Sequence, residues 1–152
     1  MIQRIQSLFL LLASAASFGI FFSPFARFYS GDIYCEFSAL RITSISSQDI
    51  TMPNTWMFIA LAIVIGLISF ITIFLYKNRK LQSNLSKINI FLNIFLILII
   101  FFYADNLSKI INVEATYKLG AYLPLVSLLF LILANRFIIK DEKLIRSADR
   151  LR

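Results

Sequence analysis

Histidine is absent from this chain, and cysteine occurs once, at Cys35. Without His there is no side chain whose ordinary pKa lies near neutrality, and the commonest metal ligand is missing. A single Cys makes neither a CxxC redox pair nor an intrachain disulfide. Charge is scarce as well: Asp, Glu, Lys and Arg make up 15% of the 152 residues, against about 25% in soluble domains. The carboxylates in the connecting segments, Asp32, Glu36, Asp49 and Asp105, stand at no spacing that points to an acid/base pair. These absences favour a protein that is not an enzyme, with no catalytic residues, no cofactor and no metal.

What the chain has instead is apolar length. It is 59% hydrophobic with a mean hydropathy of +0.81, too apolar for a water-soluble domain of this size. Four runs stand out, at about residues 7–25, 55–76, 86–103 and 119–136. Each is close to the roughly 20 residues that cross a hydrocarbon core about 30 Å thick. The apolar centres of these runs hold no Asp, Glu, Lys or Arg, which speaks against proton relays, pumps and voltage sensors. Ala13-Ser14-Ala15 has the form of a signal-peptide cleavage site, but the apolar run continues through Phe22, so an uncleaved span is expected. Asn89 and Asn93 lie one helical turn apart in the third run, and Ser127 lies in the fourth. They are candidate intramembrane polar contacts, with interhelical hydrogen bonding the commoner use and a polar binding site the other.

The segment 77–87, KNRKLQSNLSK, carries Lys77, Arg79, Lys80 and Lys87 and no acid. Short basic loops stay cytoplasmic, so this one fixes the direction of every span. With four spans, Arg4, this pivot loop and the six basic residues from Arg136 to Arg152 share one side. Eleven Lys and Arg then face four on the other side, namely Arg27, Arg41, Lys109 and Lys118. The expected fold is an all-α four-helix membrane bundle with both termini cytoplasmic. In the outer loop 26–54, Ile33, Cys35, Phe37 and Ala39 alternate with polar residues and the phase flips at Leu40 and Ile42, which suggests a small extracytoplasmic hairpin. Residues 109–114 read as a short surface helix. The tail 137–152 reads as a cytoplasmic amphipathic helix, with Arg136, Lys140, Lys143 and Arg150 along one side and Phe137, Ile138, Leu144 and Ile145 in an apolar stripe.

Lys77, Arg79, Lys80, Arg136, Lys140, Lys143, Arg146 and Arg150 are thus the candidate contacts to lipid headgroups or to a partner protein. The tail's six basic residues are offset by Asp141, Glu142 and Asp149, which suits a protein partner better than a plain polybasic anchor. Nucleic acid is not an expected partner, since no stacking aromatics or base-reading fold accompany the charge.

The stretches MIQRIQ (1–6), YKNRKLQ (76–82), YAD (103–105), GAYLP (120–124) and the ending KDEKLIRSADRLR (140–152) resemble the domain of unknown function 4293 family. That resemblance implies a small four-span protein of the bacterial inner membrane, and it brings no activity or catalytic residue. Two functional expectations follow. One is an accessory or scaffold subunit that meets a larger membrane complex through the basic tail and loop. The other is a homo-oligomeric binder or carrier of a small lipophilic molecule, a lipid or quinone, near Asn89, Asn93 and Ser127.

Overall fold

The computed structural model describes the backbone of residues 2–30, 33–45 and 55–149. Four helices dominate it: α1 (Ile2–Gly19), α2 (Trp56–Phe74), α3 (Arg79–Ile111) and α4 (Leu119–Asp149). Each buries a stripe spaced alternately four and three residues apart. On α1 it is Gln6, Leu10, Ala13 and Ser17; on α2, Phe58, Ala62, Ile65, Ser69 and Thr72. On α3 the stripe runs Gln82, Ser86, Asn89, Asn93, Leu96 and Ile100, and on α4 Ser127, Leu131, Ala134, Ile138 and Asp141. A mean step of 3.5 residues keeps a seam facing its neighbours along the whole length of a left-handed bundle. α1 and α3 each pack between α2 and α4, so the helices go round in chain order. Neighbours run antiparallel, as Gln82 with Thr72 and Asn89 with Ser69 show for α2 and α3, Arg79 with Asp141 and Asn93 with Ser127 for α3 and α4, and Gln6 with Asp141 and Ser17 with Ser127 for α1 and α4.

The opposite faces are apolar too. Leu8, Leu11, Leu67, Ile71, Phe91, Leu98, Phe102 and Leu129 are all exposed, a ring of hydrophobic surface that water would not tolerate and lipid covers without cost. Among the described residues, four helices are long and apolar enough to cross a membrane. Their length and apolar surface are those expected of a multi-pass membrane protein.

α3 extends beyond the apolar run at both ends. It has 33 residues, about twice the apolar run, because its buried stripe continues through Ala104, Leu107 and Ile111. The surface helix expected over residues 109–114 is therefore absent: Lys109 to Ile111 form the last turn of α3. Asn112 ends it in the left-handed conformation at φ 58°, where Asn is one of the few residues tolerated. Ser108 fastens that end, its Oγ donating to the Val113 carbonyl at 2.7 Å.

The expected hairpin is larger than expected. β1 (Ala26–Ser30), β2 (Ile33–Phe37), β3 (Ile42–Ile45) and β4 (Thr116–Tyr117) form one antiparallel sheet in the order β3-β2-β1-β4. Ala26, Phe28, Cys35 and Phe37 are buried on its inner side, so the period of two read from the sequence is realised in β2. Phe25, Phe37, Phe58 and Tyr103 pack ring to ring with centroids 5.1–5.7 Å apart, joining the sheet to α2 and α3. The start of α4 is clamped to the segment before β1: Lys118 N donates to the Phe25 carbonyl at 2.9 Å and Gly120 N to the Pro24 carbonyl at 3.0 Å. A Cβ on Gly120 would collide with the backbone oxygens of Ser23 and Pro24, so only glycine permits this approach.

Candidate functional site

The buried residues divide along the bundle. Toward the sheet the interior is aromatic and aliphatic, built on Phe25, Phe28, Phe37, Phe58, Leu96 and Ile100. From its middle to the pivot end, the end that bears the α2–α3 turn, buried polar groups are interleaved with a smaller apolar cluster of Leu10, Ala13, Leu131 and Ala134.

Two knots of hydrogen bonds mark the middle. Asn89 donates through Nδ2 to Ser69 Oγ at 2.7 Å and to the Ile65 carbonyl at 3.2 Å, tying α3 to α2. Asn93 Nδ2 donates to Ser127 Oγ at 3.0 Å, and Ser127 donates to the Ala13 carbonyl at 3.2 Å and lies 3.1 Å from Ser17 Oγ, tying α3 to α4 and α1. The three residues singled out in the sequence are thus fully buried, and two of them bond directly. Their donors are used in joining helices, as intramembrane Asn most often is. Ser86 Oγ, Asn89 Oδ1 and Asn93 Oδ1 have no partner among the described residues.

At the pivot end sits a hub that the charge pattern did not reveal. Asp141 is 6% exposed; its Oδ2 accepts from Gln6 Nε2 at 2.7 Å and pairs with Arg79 Nη1 at 3.1 Å. One carboxylate oxygen therefore joins α1, α3 and α4. Beside it Gln6 also donates to the Phe137 carbonyl, and Gln82 Nε2 donates to the Thr72 carbonyl, both at 3.1 Å. A buried carboxylate is tolerated only with such partners. The signal was present in the sequence, since Asp141 continues the stripe through Leu131, Ala134 and Ile138. An acid at that register is a buried acid.

The basic rim lies on the other faces. Lys80, Lys87, Arg136, Lys140 and Lys143 are exposed, whereas Arg79 is engaged with Asp141. The side chains of Lys77, Arg146 and Arg150 lie outside the described residues. α4 is one continuous helix to Asp149, but the expected apolar stripe is not the packed one: Ile138 is buried while Leu144 is 51% exposed.

At the sheet end, Arg27 and Glu36 stand opposite each other on β1 and β2 and pair at 2.7 Å, with the Tyr34 hydroxyl donating to the same Glu36 oxygen at 2.8 Å. Hydrogen bonding to Glu36 raises the pKa of both the Arg27 guanidinium and the Tyr34 phenol. Burial pushes the Cys35 thiol up, the opposite of what a reactive cysteine needs.

A family model described as Domain of unknown function (DUF4293) matches residues 2–151. The chain belongs to this family. No curated protein matches it. The DUF4293 match takes in all four helices, both halves of the sheet, the polar seam and the basic rim.

Proposed function

We propose that the protein is a non-enzymatic accessory or scaffold subunit of the bacterial inner membrane. Both termini are cytoplasmic in this reading, and the basic rim meets a larger membrane protein complex, with anionic lipid headgroups as its other contact. The observation that carries the reading is the division of labour around α4. Its inner stripe is occupied by the bundle down to Asp141, while Arg136, Lys140 and Lys143, at helical spacing, are exposed on the other side. Lys80 and Lys87, at the start of α3, add charge at the same end. Short-loop Lys and Arg in an eleven-to-four ratio support cytoplasmic placement of that end.

The test replaces Arg136, Lys140 and Lys143 together by Gln, in protein tagged within the outer loop and expressed at native level. Gln keeps the helix and removes charge without adding acids. The reading predicts that co-purification with a stoichiometric membrane partner is lost while insertion and thermal stability are kept. Unchanged co-purification would overturn it.

A further inference from the structure

Where α1 gives way to the sheet there is an open pocket of about 170 Å³. The turn between β2 and β3 forms one wall and the end of the first span the other. Its lining includes Phe21, Phe22, Pro24 and Leu40 on the apolar side and Glu36 and Arg41 on the polar side. From these features we infer that the pocket holds the headgroup of a zwitterionic phospholipid with a primary amine, as in phosphatidylethanolamine.

Position is the first argument. The apolar segment of the first span runs from Ile5 to Phe22, so Phe22 stands at the level where hydrocarbon meets headgroups. It is 91% exposed, and Leu40 across the pocket is 56% exposed. Lone exposed apolar groups at this depth lie beside lipid glycerol and upper acyl carbons, the position interfacial aromatics favour. Leu8, Leu11 and Leu12 on the exposed face of α1 continue the apolar surface below, giving the acyl chains a track.

Charge is the second. Among the described residues the pocket is lined by one cation, the exposed Arg41, and one carboxylate, Glu36, whose Oε2 is already held by Arg27 and the Tyr34 hydroxyl, so that Oε1 is the acceptor left for a ligand. A guanidinium matches a phosphate through paired N–H donors. A carboxylate accepts hydrogen bonds from a primary ammonium and makes none with a quaternary one. A phosphate–amine headgroup offers its phosphate to Arg41 and a charged donor to the remaining Glu36 oxygen, whereas phosphatidylglycerol offers that oxygen only neutral hydroxyls and phosphatidylcholine only methyls. Size agrees: pockets for drug-sized ligands are about 300–1,000 Å³, so one of about 170 Å³ takes a headgroup and leaves the chains outside.

The inference rests on the membrane-spanning reading and is independent of the proposed partner. The full-length protein is exchanged into nanodiscs of equal phosphatidylethanolamine, phosphatidylcholine and phosphatidylglycerol, and lipids retained after gentle detergent release are read by native mass spectrometry. Phosphatidylethanolamine should be retained about tenfold over the other two, the selectivity of one charge-assisted hydrogen bond. Arg41→Gln, at an exposed position outside the sheet pairing, should abolish retention of the headgroup with the fold intact. Glu36→Gln should instead level the three lipids. Equal retention of all three by the unaltered protein, or selectivity unchanged in Arg41→Gln, would overturn the inference. Resistance of the protein to alkaline carbonate extraction, measured in parallel, separates that outcome from failure of the membrane reading itself.

Discussion

Replacing Arg79 by Met leaves the carboxylate of Asp141, 6% exposed, with the Gln6 amide as its described partner. Removing one partner of a fully buried ion pair costs about 3–5 kcal/mol, mostly the penalty of the charge left behind. Arg79 is 22% exposed in its side chain, so water at the bundle end relieves part of this and about 2 kcal/mol is expected. Asp141→Leu removes the charge but strands the Gln6 donor and frees Arg79 to turn outward, at a similar cost of about 1–2 kcal/mol. The double variant removes both charges and fills the space with apolar atoms, a replacement that is often neutral. It should lose about 1 kcal/mol, well short of the roughly 3–4 kcal/mol sum of the single losses, a coupling of about 2–3 kcal/mol. Thermal unfolding in a fixed mild detergent, followed by size exclusion, reads this directly. At about 2–4 °C per kcal/mol for a chain of this length, Arg79→Met should lower the midpoint by about 4–8 °C. Additive losses in the double variant, or no loss in Arg79→Met, would refute the claim that this pair closes the pivot end.

Other outcomes follow from the same geometry. An alanine Cβ at position 66 would sit 2.8 Å from the tip of the Phe18 ring; Gly66→Ala should cost about 1–3 kcal/mol, with Phe18→Leu restoring most of it in the same unfolding assay. Gly120→Ala meets backbone oxygens of Ser23 and Pro24, which cannot swing aside, so it should lower the yield of folded protein more than Gly66→Ala does. Cys35 should resist maleimide at neutral pH until the protein is unfolded. Because burial raises its pKa in the folded state, its contribution to stability is present below the ordinary thiol pKa and is lost as pH rises through the raised value. The Tyr34 phenol should likewise ionise at higher pH in native than in unfolded protein, and Glu36→Gln, which removes the largest cause, should shrink that difference in a spectrophotometric titration.

The four spans were legible because lipid demands long apolar runs, and the runs are unmistakable between Ser7 and Ala134. Their ends were not legible from apolarity alone. α3 is held by backbone hydrogen bonds and a packed stripe, and both continue past Tyr103, where the composition turns polar. The strand at Ile33 to Phe37 announced itself through alternation. Thr116–Tyr117 could not, since two residues carry no period, and their pairing with Ala26 and Arg27 depends on a contact between distant parts of the chain. By composition Asp141 reads as a charge offsetting its basic neighbours. Its register on α4, one step after Ile138, carried the information that its composition did not. The donor partners of Asn89 and Asn93 lie on two other helices, Ser69 and the Ile65 carbonyl on α2 and Ser127 on α4, and no spacing within α3 could name them.

The arrangement stands or falls on which ends of the bundle share a side of the membrane. The deciding measurement is labelling of single cysteines in intact cells by a membrane-impermeant maleimide, on a background in which Cys35 is replaced by Ser. With cysteine placed at Lys80, Lys143 or Tyr29 in turn, only the Tyr29 position should label, the other two becoming reactive once the membrane is opened. Labelling at Lys80 with protection at Tyr29 would invert the bundle, and opposite outcomes at Lys80 and Lys143 would contradict four spans altogether.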